Sequence, residues 1–552
     1  MRHEQVDKVF TNATFEVLDL ESRRVNALAV ADGKVVAHGE QALELAGVAG
    51  EVVDLEGRYV IPGVIDVHNH HVLAGQMDLF ELNASPRMSF AELLSEVEEY
   101  SRTLEPEQWL VGGSWGSGLQ PDINSVESLA KLDEASNGHP VLLKDDSKHN
   151  RWANSRAMAL AGIDDNTEDP EGGEILRDEY GRATGVLIES AGVIVEKALQ
   201  LLHPTPAEDY ERSVERGIEI LHSFGITGFQ DAATSLQVMD ALKQLDDSGK
   251  LHSWVVSSMQ ANDFIFGTSP LGEGIIEHRE RTRSNRHRPD FIKIFLDGVP
   301  PAGTAAFIEP YLDGVGFPAC HCGGTTMPAE ELEHWLMTTA ERGISAKIHC
   351  TGDASVRLVL DTVEKVREAG YSDVRYHIAH GQFINPDDVP RFSELGVVAD
   401  ISPALWFPGV ISEAIASVLG SERGSRMHPN RDLLDSGAVV AAGSDWPVSE
   451  SPNPWEGIYG LVTRKDPTKQ VPGELWPEQA VSLAEALRIY TVYPAEAMGL
   501  GGLTGNLDLG KSADFVVLDD DIFSIDIDEI PGISASETWF AGERVFDRGT
   551  RE

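Results

Sequence analysis

The chain has 552 residues, 41% of them hydrophobic, too many for one ordinary core and enough for a barrel of roughly 250 or more residues plus accessory parts. Asp and Glu number 90 against 44 Lys and Arg, and a net charge of −46 repels nucleic acid and anionic lipid. No run of about 18 apolar residues occurs, and the opening MRHEQVDKVFTNATFEVLDL is charged where a secretory leader needs an apolar stretch. The sequence therefore predicts a cytoplasmic protein with no membrane span and no nucleic-acid partner.

Only 14 of the 44 cationic residues are lysine. An acid-rich, lysine-poor composition fits either adaptation to high salt or an acid-biased genome, and in both cases concerns solubility rather than chemistry. Three cysteines, Cys320, Cys322 and Cys350, argue against a disulfide framework and for a reducing compartment. Cys320-His321-Cys322 reads as a loop with two unpaired thiols rather than a soft-metal hook.

In chain order, residues 5 to 62 alternate as short strands, KVFTNATFEVLD, NALAVADGKVVAHG and EVVDLEGRYVIPG, with Asp-Gly and Glu-Gly pairs marking hairpin turns. The far end mirrors this in ADFVVLDDD and ETWFAGERVFDRG. The two ends predict one β-sandwich from residues 1–62 and 503–552. Between them, residues 63–502 alternate apolar strand candidates (VIPGVIDVH, ITGFQDA, HSWVVSSMQ, FIKIFLDG, ISAKIHC, VRYHIAH, VVADIS, AVVAAGSDW) with amphipathic stretches such as AEELEHWLMTTAERG. Eight strands alternating with helices predict an α/β fold, a (β/α)8 TIM-type barrel with its site at the strands' C-terminal ends. Residues 80 to about 190 exceed that pattern and read as an insertion after the first barrel strand.

The chemistry-bearing residues sit where these strands end. His68 and His70 leave VIPGVIDVH in an H-x-H pair whose side chains point the same way, so two imidazoles can converge on one cation. His71 points to the other face and reads as a bystander. Lys293 lies inside the apolar FIKIFLDG, where a buried amine either pairs with an acid such as Asp297 or is modified after its pKa falls. His349 ends ISAKIH. His377 and His380 face opposite sides by alternation, and His380, nearer the strand end, is the candidate ligand. Asp445 ends AVVAAGSDW, as a ligand or as a helix cap. Neutral imidazoles with hard oxygens suit zinc or a similar divalent ion.

The strings VIPGVIDVHNH, FIKIFLDG, KIHCTGD, HIAHGQ and GSDWPV resemble the amidohydrolase superfamily, and in particular its formamide-deformylase-like (YtcJ-like) branch. KHNRWANSRAMALAGID and EGGEILRDEYGRATGVL resemble that branch's insertion, and GNLDLGKSADFVVLD its closing strands, so the likeness spans nearly the whole chain. The resemblance implies His68, His70, His349 and His380 as ligands of one or two divalent metals, zinc first among them. It also implies a carbamylated Lys293 as bridge and Asp445 as ligand and general base. After FLDG the branch often continues with a Ser-rich turn, whereas this chain has VPPAGTAAF at the expected substrate border.

The implied reaction is hydrolysis of a C–N amide bond of an N-formyl or N-acyl amine by water activated on the metal, Asp445 moving the proton. Trp115, His149, Trp152, Asp297 and Trp446 are the candidate substrate contacts; an aromatic among them is otherwise core. The expected partner is a small-molecule amide and the expected assembly a homodimer. Three other readings stand beside this one: a mononuclear hydrolase with a structural Lys293, a deaminase on the same fold, and an inactive regulatory relative. Deaminases carry a proton-shuttling Glu three residues after the fifth-strand His, where this chain has Gly352.

Overall fold

The computed structural model describes residues 6–146, 148–170, 172–263, 267–405 and 407–550. Its centre is a sheet of eight parallel strands in chain order: β1 Val64–Asn69, β2 Ile226–Thr234, β3 Trp254–Gln260, β4 His287–Phe295, β5 Ser345–Cys350, β6 Tyr376–His380, β7 Val397–Ile401 and β8 Val440–Ala442. The Asp445 amide donates to the His68 carbonyl at 2.7 Å, and the His70 amide to the Trp446 carbonyl at 2.8 Å. Those two bonds, just beyond β8, stitch the last strand to the first and close the barrel.

Most of these strands are buried on both faces, which is why they read as near-continuous apolar runs. The intervening helices are amphipathic. Ala329–Glu341 buries Leu332, Leu336 and Ala340, one stripe at helical spacing, against the barrel. Among the described residues no helix is long and apolar enough to cross a membrane.

Strands from both ends of the chain share a six-stranded sheet, in the order 543–547, 535–540, 515–518, 59–62, 14–16, 24–25. It faces a four-stranded sheet of 34–38, 28–31, 8–11 and 51–54. Phe10 of the smaller sheet meets Trp539 of the larger edge-on, with ring centroids 4.8 Å apart, so the two layers have one apolar core.

Two local expectations are corrected here. The apolar run YVIPGVIDVH is two strands, not one: Tyr59–Pro62 pairs with Phe515–Leu518 in the terminal sheet, and the barrel begins at Val64. The Glu56-Gly57 turn is no hairpin. It carries the chain between the two sheets, because Glu51–Asp54 pairs in parallel with Lys8–Thr11. Asp32-Gly33, with φ of +48° and +73°, does join the antiparallel strands Leu28–Ala31 and Lys34–His38.

After β1, helix His71–Phe80 leads into a separate six-stranded sheet spanning 82–189, flanked by helices such as Phe90–Ser101 and Val126–Ala135. This inserted unit has its own core of Leu93, Val97, Trp115, Leu143, Trp152 and Val186.

Candidate metal centre

His68 and His70 project from the end of β1, and Asp445 from the turn after β8. Nε2 of His68 lies 3.5 Å and Nε2 of His70 3.4 Å from Asp445 Oδ1. Ligand atoms of all three fall within 4.8 Å of one another, and all three residues are buried. His380 enters from β6, its Nδ1 4.0 Å from Asp445 Oδ2 and its ring centroid 4.8 Å from that of His68. His349, from β5, meets His380 edge-on with ring centroids 4.6 Å apart, but its Nε2 lies 3.2 Å from the Gly298 carbonyl.

The backbone makes this convergence. Gly443 carries the chain across β1: a Cβ there would stand 2.4 Å from His68 Cβ, so only glycine permits the approach that swings Asp445 into the mouth. His380 and Asp445 then take left-handed φ values of +70° and +56°, a conformation costly for residues with a Cβ that turns both side chains off their strands.

A buried ring of charge holds the ligands in place. Asp66, two residues before His68, accepts the His68 amide and the Ser444 amide, each at 3.0 Å, and the Ser444 hydroxyl at 2.6 Å. It clamps the first and last strand ends together, and burial pushes its pKa up to about 6. Asp400 of β7 lies 3.2 Å from His68 Nδ1 and also accepts from the Lys347 ammonium, which donates to the Val67 carbonyl at 2.9 Å. A carboxylate on Nδ1 fixes the tautomer and turns Nε2 toward Asp445.

Lys293 is buried on β4, with its amine 4.8 Å from the Phe295 ring centroid. Burial, then the nearby Lys347 charge, lowers its pKa to about 8. The expected alternative, a salt bridge to Asp297, is absent. Asp297 instead accepts the Thr351, Gly352 and Ala306 amides at 2.9, 3.0 and 3.1 Å and the Ser355 hydroxyl at 2.6 Å. Fully buried and so occupied, it organises the turn after β5 rather than facing a substrate.

Burial is also the leading cause that drives His68 and His380 well below the usual imidazole range and His349 down to about 3. Neutral rings are what a divalent ion requires. His68 Nε2 is buried without a hydrogen-bond partner among the described residues, on the side that Asp445 and His70 share. The donor set therefore fits a divalent cation held by His68, His70 and Asp445, with His380 beside it.

The remaining candidates part company. Trp115 and Trp152 are corrected: their side chains are 1% and 0% exposed in the core of the inserted unit, and Trp115 Nε1 donates to the Leu143 carbonyl at 3.2 Å. His149, from the same unit, pairs its Nδ1 with Glu189 Oε2 at 2.8 Å. Burial alone would lower its pKa; the Glu189 carboxylate raises it, and His149 in turn depresses that of His349. Trp446 packs its ring into the barrel core while its carbonyl holds the His70 amide. His71 lies with Nδ1 3.5 Å from Asp231 Oδ2 at the end of β2, and His377 turns outward to the Ala497 carbonyl at 3.0 Å.

Asp66, Lys347, Asp400, Asp231 and Glu189 escaped the reading of the sequence. The first three had a signal: each is a charged residue inside an apolar run, VIDV, SAKIH and VVADI. Such a residue costs several kcal/mol to bury unless partnered.

Residues 51–546 match the amidohydrolase family profile. The chain therefore belongs to the amidohydrolase family, hydrolases of carbon–nitrogen bonds other than peptide bonds. It is 29% identical to the N-substituted formamide deformylase of Arthrobacter pascens, over 98% of either chain. It is 28% identical to the protein LONG AFTER FAR-RED 3 of Arabidopsis thaliana, over 98% of this chain and 91% of that one. Its fold is that of a metal-dependent hydrolase from Pyrococcus horikoshii, with a TM-score of 0.76 at 24% identity over 94% of this chain and 99% of the other. A zinc complex of the atrazine chlorohydrolase TrzN of Arthrobacter aurescens shares it more loosely, at a TM-score of 0.51 and 15% identity over 98% and 95% of the two chains.

Proposed function

We propose that this chain hydrolyses the C–N bond of N-formyl or other small N-acyl amines, with one or two divalent ions, zinc first among them, held by His68, His70, Asp445, His380 and His349. The observation that carries the reading is the convergence of two buried imidazoles, His68 and His70, on a carboxylate whose turn two backbone hydrogen bonds anchor to the first strand. The likeness to the formamide deformylase supports the acyl group.

A bound divalent ion would lower the pKa of water to about 7 and polarise the scissile carbonyl. The protein's own residues do the rest. Asp445 accepts the proton of the attacking water and returns it to the leaving amine. Asp400 and Asp66 hold His68 and Asp445 at their mutual angle. His149, backed by Glu189, is the donor at hand on the inserted side of the mouth for the substrate's carbonyl oxygen. Lys293, with an amine in reach of its neutral form and no carboxylate within ion-pair distance among the described residues, would suit carbamylation and a place among the metal ligands.

A second reading, one metal and a structural Lys293, draws on His349, whose Nε2 turns to the Gly298 carbonyl. The deaminase reading fares worse. A Cβ at Gly352 would stand 1.9 Å from the Ala306 carbonyl oxygen, so no glutamate fits there. Three free cysteines support a reducing, cytoplasmic setting.

Elemental analysis of protein purified without chelator, beside a panel of N-formyl and N-acyl amines, tests the proposal. One to two equivalents of metal and turnover of at least one N-acyl amine are expected. Less than half an equivalent and no activation by added metal would favour an inactive relative. Lys293→Ala should lose metal and activity and regain part of both with short carboxylic acids; full activity without them would leave the mononuclear reading.

A further inference from the structure

At the opposite end of the barrel from the metal centre lies a cavity of about 320 Å³. Its walls come from the N-terminal ends of β4 and β5, from Arg375 just before β6, and from the segment 279–283. Four arginines line it, Arg279, Arg283, Arg288 and Arg375, against two carboxylates, Asp290 and Asp373. In a chain with twice as many acids as bases this concentration of guanidinium groups is an inversion of the general surface.

Three of the arginines are held rather than merely near. Asp290 Oδ1 takes Arg279 at 2.6 Å and Arg283 at 2.5 Å, and its Oδ2 takes Arg283 at 3.2 Å. Burial would raise the Asp290 pKa, but these bonds keep it below the ordinary value, so it stays ionised. Glu280, outside the cavity, supports the same two side chains at 3.2 Å each. Arg375 donates Nε to the Glu496 carbonyl at 3.2 Å. Its Nη1 lies 3.2 Å from where a Cβ on Gly499 would be, in room that glycine leaves. Arg288, two residues before Asp290 on β4, forms no ion pair or hydrogen bond with the described residues and lines the same cavity.

A cavity that gathers four guanidinium groups, three of them held by named acceptors, against fewer carboxylates is suited to a ligand with several anionic oxygens. We propose that it binds a phosphate group, either free inorganic phosphate or the phosphate of a small organic molecule, with Arg288 and Arg375 as its principal contacts. The site is separate from the hydrolytic mouth and does not depend on what that mouth cleaves.

Isothermal titration of the metal-loaded protein with inorganic phosphate, at constant ionic strength set with chloride, tests this. Saturable binding is expected, and Arg288→Ala and Arg375→Ala should each weaken it on the order of tenfold. Hydrolytic kcat/KM of both variants in phosphate-free buffer should match the parent, since neither residue is near the mouth. Adenosine monophosphate binding more tightly than phosphate, and equally dependent on Arg288, would assign the site to a phosphorylated organic ligand; weaker binding would assign it to free phosphate. No saturable heat, or binding that both variants retain in full, would overturn the proposal, the latter because phosphate would then lie elsewhere, at the metal centre first.

Discussion

In the barrel, the residues that stand out from their apolar strands are charged or titratable: Asp66, His68, Lys293, Lys347, Asp400. In the inserted unit, those that stand out are aromatic: Trp115 at the end of strand Leu110–Trp115 and Trp152 within strand Arg151–Ala153. Both groups are buried, yet the first converges on one mouth and the second on a private core. The difference is energetic. A buried charge needs partners and is retained only where they are supplied, whereas a buried indole is what any small core needs to gain apolar area. A charge in an apolar run therefore says more about chemistry than a buried aromatic does.

Four experiments break or sharpen that contrast, the largest effect first. Asp445→Asn keeps the shape and a weak oxygen ligand but cannot take the proton. It should retain most of its metal and hydrolyse any competent N-acyl amine at least about a hundredfold more slowly; near-normal turnover with full metal would move the base to another residue. Trp152→Ala should cost about 3–5 kcal/mol of stability in denaturant titration while the folded fraction keeps its KM. A raised KM at unchanged stability would return Trp152 to the mouth.

Asp400→Asn should weaken metal binding by about 10- to 100-fold, through loss of the grip on His68 Nδ1. Because it also strands the buried Lys347 ammonium, the double variant Asp400→Asn/Lys347→Met is the control. It should recover stability without recovering metal affinity, and recovery of both would make Asp400 a partner of Lys347 alone.

The smallest effect concerns acid. Burial holds His222 and His287 at about 4 and His377 at about 3. All three lie below the unfolded value of about 6.5, so the unfolded chain takes up more protons. The stability they contribute is complete above about pH 6.5 and is lost progressively as the pH falls toward 4 and then 3. Unfolding free energy should decline between pH 6.5 and 4.5, and a flat profile there would mean these rings are protonated in the fold.

Much of the barrel was legible because its strands are buried on both faces and end in ligand-type residues. Alternation placed His377 and His380 on opposite sides, and the structure turns the one outward and the other toward Asp445. What the sequence hid were matters of close approach. In VIPGVIDVH only the Pro62-Gly63 pair marks the switch of sheets, and with both halves equally apolar the run reads as one strand. Asp297 looked like a site residue from its place after FIKIFL, but three backbone amides from distant turns claim it. Such contacts are set by tertiary geometry, which a linear pattern does not carry. The same holds for Glu189, 40 residues from the histidine it meets.

The pairing of Val516 with Ile61 in the terminal sheet has a consequence for synthesis. Strand Tyr59–Pro62 leaves the ribosome roughly 450 residues before its C-terminal neighbour, an interval on the order of 20 to 90 s at ordinary elongation rates. Through that time an apolar strand directly joined to β1, and with it the first two metal-ligand candidates, waits with an unpaired edge. The nascent chain is thus exposed to premature pairing with its own copies on a polysome, and the last strands to emerge are the ones that end the exposure.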